Sequence, residues 1–183
     1  LGTAGQAGSG PNQFNQPNDV VTGPDGSIYV GDGHGGQGMT TARAMAEGRE
    51  SGATGRILKF APDGTFIKEW GQIGTLHGEF RTPHALAFDS QGRLLVADRG
   101  NHRIEIFDQD GNYLDSRYAY GRISGIYITE DDMLYAIDSE SSMTSHPNWM
   151  NGVRIGHVDE DRITGFIPPF DADTRPYQGA AGE

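Results

Sequence analysis

Three corners of this sequence hold residues able to do chemistry: Pro83-His84, Asp98-Arg99 and Asp32-Gly33-His34. A neutral imidazole is a good zinc ligand, and it exchanges a proton near neutral pH. For His84 two readings stand open, a metal ligand and a histidine hydrogen-bonded to loop backbone. For His34 the readings are a general base, an additional ligand and an ordinary loop residue. Arg99 can grip a carboxylate through two parallel hydrogen bonds or stabilise an oxyanion; the structural alternative is an ion pair with Asp98 or Asp32. His77, His102, His146 and His157 share no common spacing, which argues against a zinc cluster among them. The Gly-rich run Gly31 to Gly38 superficially evokes a phosphate loop, but no Lys-Ser/Thr pair follows, so it reads as a flexible insertion.

A repeat must position these corners. Pro17-Asn18-Asp19-Val20-Val21 aligns with Pro83-His84-Ala85-Leu86-Ala87, and Gly26-Ser27-Ile28-Tyr29-Val30-Gly31-Asp32 aligns with Gly92-Arg93-Leu94-Leu95-Val96-Ala97-Asp98. A worn third copy runs Gly125-Ile126-Tyr127-Ile128, then Met133-Leu134-Tyr135-Ala136-Ile137-Asp138. Apolar residues alternate in short runs bounded by Gly, Pro, Asp or Asn, the period-two signature of half-buried strands. Asp25-Gly26, Asp63-Gly64 and Asp110-Gly111 suit hairpin turns, because Gly accepts the positive φ such turns need. Four-stranded units of roughly 40 to 50 residues predict an all-β fold, a β-propeller.

Unequal spacing locates insertions at about residues 34–54 and 141–149, both expected on one propeller face. In the first, Thr40 to Glu47 predicts a short helix capped by a Thr. Trp149 and Met150 in and beside the second would line a pocket or cover the face, while Trp70 would pack between blades. The chain divides as a linker at 1–9, a first unit at 10–71, a second at 72–121, a third at 122–170 and an approach to a further blade at 171–183, all within one domain spanning 1–183. Three to four blades make an open sector or part of a larger ring, whose exposed edges favour self-association. The recurrence of Asp32, Asp98 and Asp138 predicts a structural role, with each carboxylate accepting N–H groups of the following turn. Asp131-Asp132 and Asp159-Glu160-Asp161 fall in turns and read as solvated.

Zero Cys excludes disulfides, thiolate metal sites and a Cys nucleophile. A net charge of -11 argues against nucleic acid and anionic membranes as partners. No long apolar run suggests a transmembrane helix. The compartment stays open, with a periplasmic or extracellular setting favoured over others.

With Asn101-His102-Arg103-Ile104 after Val96-Ala97-Asp98-Arg99, the chain resembles the NHL-repeat family. Within it, Phe14 before Pro17, Asp32-Gly33, Arg56-Ile57, Trp70-Gly71, Gly78-Glu79-Phe80, Pro83-His84 and Ala97-Asp98-Arg99 are similar in order and spacing to the peptidyl-α-hydroxyglycine α-amidating lyases. That resemblance implies part of a six-bladed ring that cleaves a hydroxyglycine peptide to an amide and glyoxylate. It implies zinc as cofactor with His84 as one ligand, and Arg99 lining the site. His34 stands where those lyases carry a catalytic Tyr, Ser124 stands at the Pro-His position of the third unit, and two further His ligands would come from other blades. The expected ligand is a small molecule or peptide at the propeller face. A non-catalytic scaffold for a protein or glycan is the alternative; a hydrolase or lactonase with a calcium centre, drawing on Asn18, Asp19 and Asn101, is a further one.

Overall fold

The computed structural model describes residues 1–169, and the expected approach to a further blade at 171–183 lies outside the described residues. Among the described residues, twelve strands form three four-stranded antiparallel sheets. The first blade comprises β1 (Pro17–Thr22), β2 (Ile28–Asp32), β3 (Arg56–Phe60) and β4 (Phe66–Trp70). The second comprises β5 (Pro83–Phe88), β6 (Leu94–Asp98), β7 (Arg103–Phe107) and β8 (Tyr113–Arg117). The third comprises β9 (Ile123–Ile128), β10 (Met133–Asp138), β11 (Gly152–His157) and β12 (Ile163–Ile167). Each sheet runs in sequence order from its inner to its outer strand.

The alternation decides which residues join the blades. Tyr29 and Ile57 of the first blade meet Leu86, Leu94, Val96 and Phe107 of the second, with Phe80 between and Trp70 packed against the cluster. On its other face the second blade offers Ala85, Leu95, Ala97, Ile104 and Ile106 to Ile123, Leu134, Ala136 and Val158 of the third. Burying each large side chain contributes about 1.5–3 kcal/mol, so these two seams dominate the cohesion of the array. The middle blade is covered on both faces, and every residue of β6 and β7 is buried. The end blades are not, since Val20 is 60% and Tyr127 64% exposed.

The third copy departs from the repeat at its first hairpin. Gly26 and Gly92 adopt φ of 83° and 73°, and Asp132 holds the same left-handed conformation at φ 60°. Its carboxylate accepts the Ser90 backbone N–H (2.8 Å) and hydroxyl (2.6 Å), which offsets the backbone cost and ties the third blade to the second. Asp132 is therefore buried rather than solvated, a correction to its reading as a turn residue in water. Asp131, Asp159, Glu160 and Asp161 are exposed, as expected, although Asp161 accepts the Tyr118 and Ala119 N–H groups and Asp159 pairs with Arg93 at 2.7 Å. Sequence shows the turn but not the neighbouring blade that claims its carboxylates.

Within the first insertion, α1 (Ala42–Glu50) starts where Thr41 accepts the Ala44 N–H (3.1 Å), as the Thr cap predicts. The Gly-rich run before it takes a defined conformation. It forms a 3-10 turn over His34–Gly38, anchored where Gly33 and His34 donate to the Gln16 carbonyl. A Cβ on Gly36 would lie 2.5 Å from the Arg81 carbonyl oxygen, so glycine here permits close backbone packing. Residues 1–9, set apart above as a linker, include Gly8 and Ser9, whose carbonyls accept hydrogen bonds from Arg56.

Candidate functional site

The inner strands create the site through a repeated irregularity. In β5, Pro83 pairs with Asp98 and Ala85 with Ala97, leaving His84 as an extra residue. Asn18 in β1 and Ser124 in β9 occupy the same bulged position. A bulge bends the strand and re-aims its side chain. Asn18 donates to the Pro83 carbonyl (3.2 Å), and His84 Nδ1 lies 2.9 Å from the Ser124 carbonyl. A carbonyl only accepts, so Nδ1 carries the proton and the lone pair belongs to Nε2.

Arg99 follows β6 directly and is fully buried. Its Nη2 donates to Gln37 Oε1 (2.7 Å) and to His34 Nε2 (3.0 Å), while Nη1 reaches Ser124 Oγ (3.3 Å) and Glu140 Oε1 (3.4 Å). One guanidinium thus joins loops of the first and third blades to the second. Because arginine only donates, His34 accepts on Nε2 and keeps its proton on Nδ1. The His34 and His84 rings lie 5.6 Å apart. The three residues singled out from sequence, His34, His84 and Arg99, therefore meet at one corner.

Glu140 supplies the carboxylate of this corner. Burial pushes its carboxyl up, but the Arg122 hydrogen bond and the charges of Arg99, Arg122 and His84 outweigh that and hold it below the ordinary range. It is ionised at neutral pH and shared between Arg99 and Arg122, the latter at 2.6 Å. Sequence reading missed Gln37, Glu140 and Arg122. A signal for Glu140 existed: the site draws on the residues one or two places after each recurring aspartate, His34, Arg99 and Glu140.

The recurring aspartates themselves are structural. Asp32 pairs with Arg56 (3.1 Å), Asp98 with Arg103 (3.1 Å) and Asp138 with Arg154 (2.7 Å). Asp138 accepts the Ser141 N–H of the following turn, but Asp98 and Asp32 accept Arg81 and Asn15 N–H groups from the preceding loops. Since Arg103 and Arg56 take these carboxylates, Arg99 is left for the inner corner.

The remaining candidates are engaged elsewhere. Asp19 accepts the Leu86 N–H (2.8 Å), and Asn101 donates to Gly74 O (2.9 Å) and Asp98 (2.6 Å). Among the described residues no group of three or more His, Asp or Glu is placed to hold a metal ion. His146 stacks on Trp149 at 4.4 Å and lies 4.1 Å from His102, while Arg154 covers the indole. That stack fastens the second insertion over the seam between second and third blades.

With this geometry in place, residues 80–107 match the NHL repeat. The chain carries an NHL repeat in a propeller blade. The matched NHL segment holds both His84 and Arg99. The chain is 31% identical over 194 residues to peptidyl-glycine alpha-amidating monooxygenase B of Xenopus laevis, a match covering 100% of this chain and 20% of that protein. It is 36% identical over 112 residues to NHL repeat-containing protein 3 of Homo sapiens, covering 60% of this chain and 28% of that one. The chain thus spans about a fifth of the amidating relative's length. In fold it resembles a gluconolactonase from Xanthomonas campestris, with a TM-score of 0.57 and 20% identity over 91% of this chain and 50% of that one.

Proposed function

We propose that this NHL propeller sector presents the substrate corner of an amidating-lyase-like enzyme, with Arg99 receiving the carboxylate of a peptide that ends in α-hydroxyglycine. The observation that carries this reading is the convergence of His34, His84 and Arg99 from two blades. Identity to an amidating monooxygenase along the whole chain supports the chemical class.

In such a lysis the substrate hydroxyl loses its proton, the carbon–nitrogen bond breaks, the amide nitrogen gains a proton and glyoxylate leaves. Arg99 is suited to the carboxylate because a planar guanidinium binds it through paired hydrogen bonds. The carboxylate would replace Gln37 and His34 as acceptors, returning the His34 Nε2 lone pair to take the hydroxyl proton. Glu140 keeps its grip on Arg122 and orients Arg99 from the opposite side.

The resemblance implies zinc, and His84 fits one ligand position. Its Nδ1–H bond to Ser124 O fixes the tautomer in the way a second-shell carbonyl orients a ligating histidine. Zinc there would polarise the substrate oxygen. His34 Nε2 is engaged with Arg99, and the described residues alone do not complete the ligand set. Further blades would supply the rest, and the exposure of Val20 and Tyr127 supports association through the uncovered faces of the end blades.

The test is zinc content together with glyoxylate release from an α-hydroxyglycine peptide. Loss of both in His84→Ala supports the proposal. Peptide binding with no glyoxylate in the wild type would assign a non-catalytic peptide-binding propeller instead.

A further inference from the structure

Beside the Arg99 corner lies a second cationic site that faces a cavity. Arg81 belongs to the loop at 71–82, and its Nη2 donates to the Gln37 carbonyl (3.0 Å). Its Nε is buried with no acceptor, and no carboxylate pairs with its guanidinium among the described residues. Burial, together with the charge of Arg122 and against that of Asp98, pulls Arg81 below the usual guanidinium range.

Arg122 repeats the pattern. Its Nη2 binds Glu140, its Nη1 donates to His102 Nε2 (3.3 Å), and its Nε is buried without an acceptor. Among the described residues Arg103 pairs with Asp98 and Glu105 and Arg122 with Glu140, while Arg81 has no carboxylate partner. A partly buried cation without a paired carboxylate is costly unless an anion completes it.

The adjoining cavity is about 340 Å³ and is lined by Thr75, Arg81, Asn101, His102, Arg103 and Tyr118. That volume suits a small ligand. Arg103 is already committed to Asp98 and to the Thr75, Leu76 and Glu79 carbonyls, so Arg81 is the cation available to a guest. His102 accepts from Arg122 on Nε2 and therefore keeps its proton on Nδ1, a neutral donor at the cavity wall.

We propose that this cavity is an oxyanion site in which Arg81 grips a carboxylate or phosphate group of a small ligand, with the neutral His102 as a further donor at the cavity wall. The site does not depend on the lyase reading, because Arg99 does not line it. Binding is tested by calorimetric titration with malonate and with inorganic phosphate at low ionic strength. The expected result is saturable binding of at least one probe, weakened tenfold or more in Arg81→Gln and changed less than twofold in Arg43→Gln, a control on the exposed face of α1. Malonate alone would identify a carboxylate ligand, and phosphate alone a phosphorylated one. Melting temperatures and the Arg81→Lys variant, which keeps the charge and should retain most binding, separate loss of the site from loss of the fold. An independent readout is the His102 ring, which burial, His146 and the two arginines hold down at about 4; a bound anion should raise it in an NMR titration. Failure of both probes to bind, or equal binding by Arg81→Gln, would overturn the proposal.

Discussion

Two kinds of buried arginine stand a few residues apart in the same blade. Arg103 sits on β7, meets Asp98, and donates its remaining N–H groups to the carbonyls of Thr75, Leu76 and Glu79. Arg56 and Arg154 do the same against Asp32 and Asp138, so this arrangement recurs in all three described blades. Arg99, equally buried, is held by a glutamine, a histidine, a serine and a carboxylate shared with Arg122. The first kind is saturated by its own blade and clamps the incoming loop. The second is held by a shared carboxylate and by neutral acceptors of neighbouring blades, and the neutral ones are those it can give up to a ligand.

The sharpest way to break that contrast is to remove a clamp. Arg103→Met leaves the fully buried Asp98 carboxylate without its cation and should cost about 3–5 kcal/mol in urea unfolding. Gly36→Ala should come next, at about 1–3 kcal/mol, because its Cβ would press on the Arg81 carbonyl and push Gln37 away from Arg99. A variant as stable as wild type would show that the insertion yields easily. Gln37→Ala removes one acceptor and should cost about 1 kcal/mol by the same assay, while peptide binding changes far more than stability.

A pH experiment sharpens the role of the second insertion. His102 is held down at about 4 by burial, then by the charges of His146, Arg122 and Arg81, against an ordinary value of 6.5. His146 is also lowered, chiefly by burial. The unfolded chain therefore binds protons more readily than the folded one between these values. The stability these rings contribute is complete above pH 6.5 and is lost as pH falls towards 4. Melting temperature should fall across that window, and His102→Phe should flatten the slope. The smallest effect is expected at the exposed Arg43 and Glu47 pair, where Glu47→Gln should shift stability by no more than about 0.5 kcal/mol.

The blades were legible because strand alternation and turn residues are local signals that repeat. So were the corners: His84 was identifiable as the residue after a recurring proline, and Arg99 as the residue after a recurring aspartate. What the bulge does to His84 was not legible, since a register shift depends on the partner strand. Gln37 lay within a run whose glycines suggest flexibility, yet those glycines serve close packing against Arg81. Asp132 was misread for a related reason: a carboxylate in a turn looks solvated until the adjacent blade places Ser90 against it. The sequence carries the periodicity of each blade, whereas contacts between blades depend on their packing angle.

The contrast between the two arginines is tested most directly by the affinity of the chain for an α-hydroxyglycine peptide and for the corresponding peptide amide, which lacks the carboxylate. Wild type should prefer the hydroxyglycine peptide by tenfold or more, and Arg99→Gln should lose that preference while unfolding at a similar urea concentration. Equal affinity of wild type for both peptides, or a preference that survives in Arg99→Gln, would contradict the assignment of Arg99 to the substrate.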